Sequence, residues 1–468
     1  MSIKFKLSSQ TISELHSCLY NGDGKETVAF VLCGTAITNE QVIILAHEVV
    51  ALSSESYLDR KSDFVRWSTF ELKPLLDRAE KESLSIVKFH CHPSGYDEFS
   101  NIDNESDKEL FPSIYDWLGT KVPCLSAILL PDDRVIARHI DANGNFFPVS
   151  TTVVGDIVKN YSTKASCTKP FQKFEERNLQ TFGSLTRDTL SQMKIAVIGC
   201  SGTGSPVVEQ LNRLGVGELI LVDPDKLEHK NLNRVTNTTM RDAELALFKV
   251  DALQNRLAEI GLPTRITAIP RTLLNREVIK IVSECDFIFG CVDSSEARVA
   301  ISRISSFYLV PYIDIGICLD ADGSGGVRNI SGKIGYFQPG MSDHLTRRSI
   351  LPSTLEAESL KRTNPDEYLN LLEEGYIKGV SENSPAVISV NTYASSLAIL
   401  EFLARVHEYR NEPNSNFAQQ TFCLVNNFFE EKSEEDFLPS KELKKYVGRG
   451  DLPLLLDMPS LSVSLEAA

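Results

Sequence analysis

Residues 194–211, KIAVIGCSGTGSPVVEQL, decide how this chain is read: an apolar run reaches three glycines, Gly199, Gly202 and Gly204, and then turns helical. A strand that enters a helix through glycines presents backbone N–H groups at the positive end of the helix dipole, where phosphate is held. The order is G-x-x-G-x-G, not the G-x-G-x-x-G of dinucleotide enzymes. The same turn also serves as a plain tight connection, so its neighbours carry weight. The next apolar run, ELILVDPD, ends at Asp223, placed to accept hydrogen bonds from a ribose. Asn231, Arg234 and Lys249 follow, and CDFIFGCVD puts Asp293 at a strand's carboxyl end. Two cations suit a triphosphate, and a carboxylate in that place suits Mg²⁺ bridging phosphates. The alternation of strands and helices from residue 194 predicts a doubly wound parallel sheet.

The N-terminal block alternates differently. A helix over Ser9–Leu19, apolar runs at 27–34 and 41–51, a helix at 69–83 and a hairpin at 125–140 give an α+β pattern. Within it lies KFHCHPSGYDEFSNID, residues 88–103. In a strand His90 and His92 point to one face, and Cys91 to the other. Pro93 and Gly95 break the strand, and Ser100 reads as the cap of a helix whose first turn carries Asp103. Two imidazoles and one carboxylate can hold Zn²⁺ with its fourth position open to water.

At 468 residues the chain is long enough for two or three domains. A content of 42% hydrophobic and 24% charged residues fits a folded globular protein. The net charge of −15 argues against nucleic acid or an anionic membrane as partner. No run of about 18 apolar residues predicts a membrane span, and the expected location is the cytoplasm. The ten cysteines form no C-x-x-C pair and read as reduced thiols. The expected divisions are an α+β domain over 1–150, a linker over 151–172, a doubly wound domain over 173–425 and a tail over 426–468.

H-x-H-P followed by S-x-x-D resembles the JAMM (MPN or JAB) metalloproteases that cleave ubiquitin-like modifiers. That resemblance implies zinc on His90, His92 and Asp103, Ser100 as an oxyanion donor, and an upstream glutamate as general base. Glu26, ahead of Gly34, fills that place if a bulge absorbs one residue, and Glu48 is the alternative. The glycine turn with Asp223, Asn231, Arg234, Lys249 and Asp293 resembles the ThiF/MoeB adenylating family, which includes ubiquitin-activating enzymes. That resemblance makes Gly199–Gly204 the ATP loop, and Asn231, Arg234 and Lys249 phosphate contacts. It also makes Asp293 the Mg²⁺ ligand and Arg177 an arginine reaching into a second subunit of a homodimer.

The expected fold class is therefore α/β: an N-terminal α+β JAMM-like domain followed by a Rossmann-like doubly wound ThiF domain. The implied reaction is ATP-dependent adenylation of the C-terminus of a ubiquitin-like protein, combined with zinc-dependent processing of that modifier. A conjugating enzyme is a further expected partner. The alternative is adenylation of a sulfur-carrier protein or peptide. No cysteine occurs from 319 to 422, so a thioester cysteine is missing there, and Cys200, Cys291 and Cys318 read as packing residues.

Overall fold

The computed structural model describes all residues except 1, 39, 120–121, 162–171, 375–384, 459–460 and 462–468. It divides into two compact units. Unit 1 runs from Met1 to Cys167 and takes in Phe307–Leu309 and Tyr446–Leu454, and unit 2 holds the rest. Among the described residues no helix is long and apolar enough to cross a membrane.

Unit 1 follows the order β1 (Ser2–Ser8), α1 (Ser9–Leu19), β2 (Val28–Ile37), β3 (Gln41–Ala51), β4 (Tyr57–Lys61) and β5 (Phe64–Trp67). It continues with α2 (Leu72–Glu82), β6 (Ser85–Cys91), α3 (Asn101–Leu118), β7 (Cys124–Leu129), β8 (Val135–Ile140), β9 (Phe146–Val154) and β10 (Val158–Tyr161). The main sheet has the order β1-β3-β2-β6-β7-β8-β9-β10, and β1 also pairs with β9. Side chains alternate across it, as a pleat requires. Ala29, Val31 and Cys33 of β2 join Ile12, Leu15 and Leu19 of α1 in one cluster. Val28, Phe30 and Leu32 join Leu75 and Leu76 of α2 and Phe111 and Ile114 of α3 in the other. The same parity on β6 sends Lys88 and His90 to the face of Ile86, which packs with α3.

Pairing of β2 with β6 ends at Cys33 and Ser85. Beyond it, Gly34 N–H donates to the Gly448 carbonyl at 3.0 Å, and Asp451 N–H donates to the Thr35 carbonyl at 2.8 Å. A side chain on Gly34 would meet Gly448 O at 2.3 Å, so this approach requires glycine.

Unit 2 follows α4 (Glu176–Gln192), β11 (Lys194–Ile198), α5 (Gly204–Arg213), β12 (Glu218–Val222), α6 (Met240–Glu244), α7 (Lys249–Ile260), β13 (Arg265–Ile269) and α8 (Arg276–Ser283). It goes on through β14 (Phe287–Gly290), α9 (Ser295–Tyr308), β15 (Tyr312–Ala321), β16 (Val327–Phe337), α10 (Pro352–Thr363), α11 (Pro365–Glu373), α12 (Ile388–Val406), β17 (Gln419–Cys423) and β18 (Phe428–Lys432). The sheet order is β13-β12-β11-β14-β15-β16-β17-β18. The first five strands are parallel, as the alternation predicts, and the last three pair antiparallel.

Two expected boundaries differ from what the structure contains. The linker expected from 151 opens inside β9, and Val158–Tyr161 pair with Thr151–Val154. Polar side chains on an edge strand hid the alternation there. The remainder of that linker, 162–171, lies outside the described residues. The tail expected from 426 contains β18, hydrogen-bonded to β17, and supplies Tyr446–Leu454 to unit 1. Residues 462–468 of it lie outside the described residues.

Inside unit 2, Arg405 and Glu401 are buried one helical turn apart on α12, 2.6 Å between charged atoms. Glu401 also accepts from Arg410 and Gln420, both at 2.5 Å. Arg405 is stacked 3.9 Å over the Tyr336 ring. Removing one partner of a buried pair strands the other charge, at a cost of about 3–5 kcal/mol. Glu401→Leu is therefore expected to destabilise unit 2 by that amount in denaturant unfolding, and a change near zero would contradict the assignment.

Candidate functional site

In unit 1 the strand β6 delivers His90 and His92, and the capping box of α3 delivers Asp103. Ser100 Oγ accepts the Asp103 N–H at 3.2 Å, and Asp103 Oδ2 accepts the Ser100 N–H at 2.7 Å. The other carboxylate oxygen, Oδ1, lies 3.2 Å from His90 Nε2. His90 Nε2 and His92 Nε2 are 3.0 Å apart, and His92 Nε2 is 3.6 Å from Asp103 Oδ2. Zinc with bonds of about 2.0–2.1 Å sets tetrahedral ligand atoms roughly 3.3 Å apart, so these three donors fit the ion. The Nδ1–H of His92 donates to the Tyr96 carbonyl at 2.7 Å, which leaves the Nε2 lone pair free for a metal.

Burial pushes the His90 imidazole down, toward the neutral form a metal needs. Burial also acts to raise Asp103, but the bond from His90 and the closeness of the His92 imidazole outweigh it and hold this carboxyl well below the usual carboxylate range. Glu26, buried just ahead of β2, has Oε1 3.7 Å from His92 Nε2, and burial pushes its carboxyl up to about 7. The alternative, Glu48, is bound by Arg78 through two bonds of 2.7 and 2.6 Å. A register shift between Leu32 and Cys33 lies between Glu26 and Gly34.

In unit 2 the glycine turn closes on itself. A side chain on Gly204 would meet the Gly199 carbonyl oxygen at 1.9 Å, and one on Gly199, at φ +88°, would meet Cys291 O at 2.5 Å. At Gly202 it would meet Asn391 Nδ2 at 2.1 Å and Arg234 Cδ at 3.3 Å, which puts Arg234 beside the turn. Asp223 lies buried at the end of β12. Its Oδ2 accepts the Cys200 N–H at 2.7 Å, and burial raises its pKa. Lys249, at the start of α7, bonds Asp225 at 2.7 Å and lies 3.8 Å from Asp223. Asn231 is buried, with Oδ1 accepting the Glu228 N–H at 2.9 Å. Asp293 is exposed in the segment between β14 and α9.

A sequence model of the ThiF family matches residues 175–436, more than half of the chain. The chain belongs to the ThiF family. The adenylyltransferase and sulfurtransferase UBA4 of Candida albicans is 30% identical over 173 residues, 35% of this chain and 38% of that protein. The ubiquitin-like modifier-activating enzyme 5 of Caenorhabditis elegans is 29% identical over 174 residues, 35% of this chain and 39% of that protein. The chain thus spans well under half the length of these curated relatives. Among solved structures, E. coli MccB is similar at 20% identity and a TM-score of 0.43, covering 56% of this chain and 69% of that one.

The structure does not bring every residue singled out in the sequence to the ThiF turn. Arg177 is exposed on the first turn of α4 and bonds Gln180 at 3.1 Å, while nearby Arg187 bonds Glu175 and Asp188. Cys200 is buried and Cys291 half-buried, and desolvation pushes both thiols up, Cys291 to about 12, which makes them poor nucleophiles. Cys318, read as packing, is exposed instead, because β15 runs out beyond the core after Ile315.

Other residues at the turn went unread. Asn391 abuts Gly202, and Ser395 Oγ donates to the Thr203 carbonyl at 2.8 Å. Their signal was two polar residues spaced i, i+4 on the apolar helix α12. Arg298 lies five residues after Asp293. Its Nε donates to Asp314 Oδ1 at 3.0 Å, and the Asp293 charge acts on it.

If the turn holds nucleotide, ATP is expected to raise the thermal stability of the chain and Gly204→Ala to abolish that rise. A shift as large as that of the unaltered chain would show that the turn holds no nucleotide.

Proposed function

We propose that residues 173–425 adenylate the C-terminal carboxylate of a small ubiquitin-like or sulfur-carrier protein, and that residues 1–150 form a JAMM-type zinc hydrolase acting next to that terminus. The observation that carries the first part is the glycine turn of a ThiF-family chain, with Asp223, Arg234, Lys249 and Asp293 gathered near the carboxyl ends of β11, β12 and β14. The names of the relatives support both kinds of carrier, since one is a sulfurtransferase-linked adenylyltransferase and the other activates a ubiquitin-like modifier.

A carboxylate oxygen of the carrier attacks the α-phosphorus of ATP, the bond to the bridging oxygen breaks, and pyrophosphate leaves. In the Gly199–Gly204 loop the N–H groups of Gly199 and Cys200 are taken by Val222 and Asp223, and those after Cys200 hold the phosphates; Arg234 and Lys249 neutralise charge on them, and Asp223 accepts from the ribose hydroxyls. Asn231 adds a phosphate contact. Asp293 would hold Mg²⁺, which would supply neutralising charge at the phosphates. Most of the rate gain comes from holding two anions together in line. The exposure of Arg177 supports a reach into the site of a second copy in a homodimer.

The reading of unit 1 rests on His90, His92 and Asp103, with Glu26 beside them. Zinc there supplies Lewis acidity and lowers the pKa of water to about 7. Glu26 is held to accept a proton from water and pass it to the leaving amine. Ser100, whose oxygen caps α3, supplies its hydroxyl as the oxyanion donor.

ATP–pyrophosphate exchange with a carrier protein ending in Gly-Gly is expected from the unaltered chain and expected to fall at least a hundredfold in Asp293→Ala. Exchange that persists in that variant would show the site misassigned. Metal content offers a separate check: about one zinc per chain is expected, lost in His90→Ala and His92→Ala, and equal zinc in all three proteins contradicts the reading.

A further inference from the structure

Lys88 on β6, Asp107 on α3 and Arg138 on β8 are buried beside the histidine cluster, and the chemistry proposed above uses none of them. Both carboxylate oxygens of Asp107 are taken. Oδ1 accepts from Lys88 Nζ at 2.5 Å, and Oδ2 accepts from Arg138 Nη2 at 2.6 Å. Lys88 precedes His90 by two residues and so shares its face of the strand. Asp107 follows Asp103 by four and shares its face of the helix. One carboxylate therefore ties the strand that carries two candidate ligands to the helix that carries the third. Arg138 adds a bond from Nη1 to Asn104, the residue after Asp103. Its guanidinium carbon sits 3.7 Å from the Phe99 ring centroid and 4.0 Å from that of Phe146. Phe99 leads directly into the Ser100 cap, and its ring lies 6.0 Å from that of His90.

We infer that Lys88, Asp107 and Arg138 are positioning residues that set the register of α3 against β6, and with it the place of Asp103; this rests on the zinc reading of unit 1. Stability alone is a poor account of the cluster. Two cations share one buried anion, and buried ionic groups are often no more stable than apolar ones of the same shape. Directed, charge-assisted bonds instead admit a single setting of the helix. A slip of α3 by one residue moves Asp103 by about 1.5 Å along the axis and turns it by about 100°. Oδ1 then leaves His90 Nε2, and a site with two ligands remains. Apolar packing at this helix face would tolerate such a slip far better.

The test is zinc affinity of the full chain by chelator competition, with Co²⁺ absorption as a reading of ligand geometry. Asp107→Asn leaves all three ligands in place and is expected to weaken zinc binding 10–100-fold, the range seen when groups that orient ligands are altered. Arg138→Lys keeps every charge but loses the fork that joins Asp107 to Asn104, and about tenfold weaker binding is expected. It decides the matter if Asp107→Asn does not fold. In both, the visible Co²⁺ bands are expected to change intensity. Folded variants with unaltered zinc affinity and unaltered Co²⁺ spectra overturn the inference while the zinc reading stands. An unaltered chain that binds no zinc overturns that reading, and the inference with it.

Discussion

Gly204 comes so close to the Gly199 carbonyl that no side chain fits between them, and the chemistry assigned to the ThiF unit depends on this approach. It folds the end of β11 directly onto the start of α5, where a helix N-terminus leaves backbone donors without partners inside the helix. Asp223 takes up one of them, the Cys200 N–H, and so fixes the end of β12 against the turn. Asn391 and Ser395 brace it from α12. A side chain at Gly199, Gly202 or Gly204 would push at least one of these contacts apart.

Unit 1 also passes from a strand to a helix, but over residues 92–100, and there side chains rather than glycine backbone set the geometry. Asp103 completes the capping box through one oxygen and faces His90 with the other. A group that caps the start of a helix is thereby also fixed in space beside the two imidazoles. The low pKa of Asp103 and the raised pKa of Glu26 follow from how each is surrounded: Glu26 is buried, whereas Asp103 is half-buried and faces two imidazoles. Two carboxyls beside the same imidazole thus shift in opposite directions, the pattern that a charged ligand and a proton-exchanging base would need under the proposed zinc chemistry.

Local signals in the sequence were enough for the parts of the structure governed by local rules. Ser9–Leu19, the H-x-H strand, the Ser100 cap and the parallel alternation after residue 194 all rest on spacing within a dozen residues. Elements that depend on distant pairing could not be read in this way. The strand Val158–Tyr161 carries polar side chains and is defined by its partner β9, and β18 is defined by β17. The docking of Gly448 and Asp451 beside β2 joins positions more than 400 residues apart, with no local pattern to announce it. Among candidate site residues, the surroundings of Glu26 and Glu48 show only in three dimensions: the first lies 3.7 Å from His92, and Arg78 binds the second. Arg177 shows the converse, since motif order singled it out and the single chain leaves it at the surface.

The account requires that this ThiF-family chain place ATP where a polypeptide carboxylate can attack it. Mass spectrometry of a small β-grasp protein ending in Gly-Gly, incubated with the chain, ATP and Mg²⁺, tests this most directly. The expected result is a carrier heavier by one AMP, formed only when ATP is present. A carrier of unchanged mass under all conditions, across ubiquitin-like and sulfur-carrier candidates alike, would contradict it.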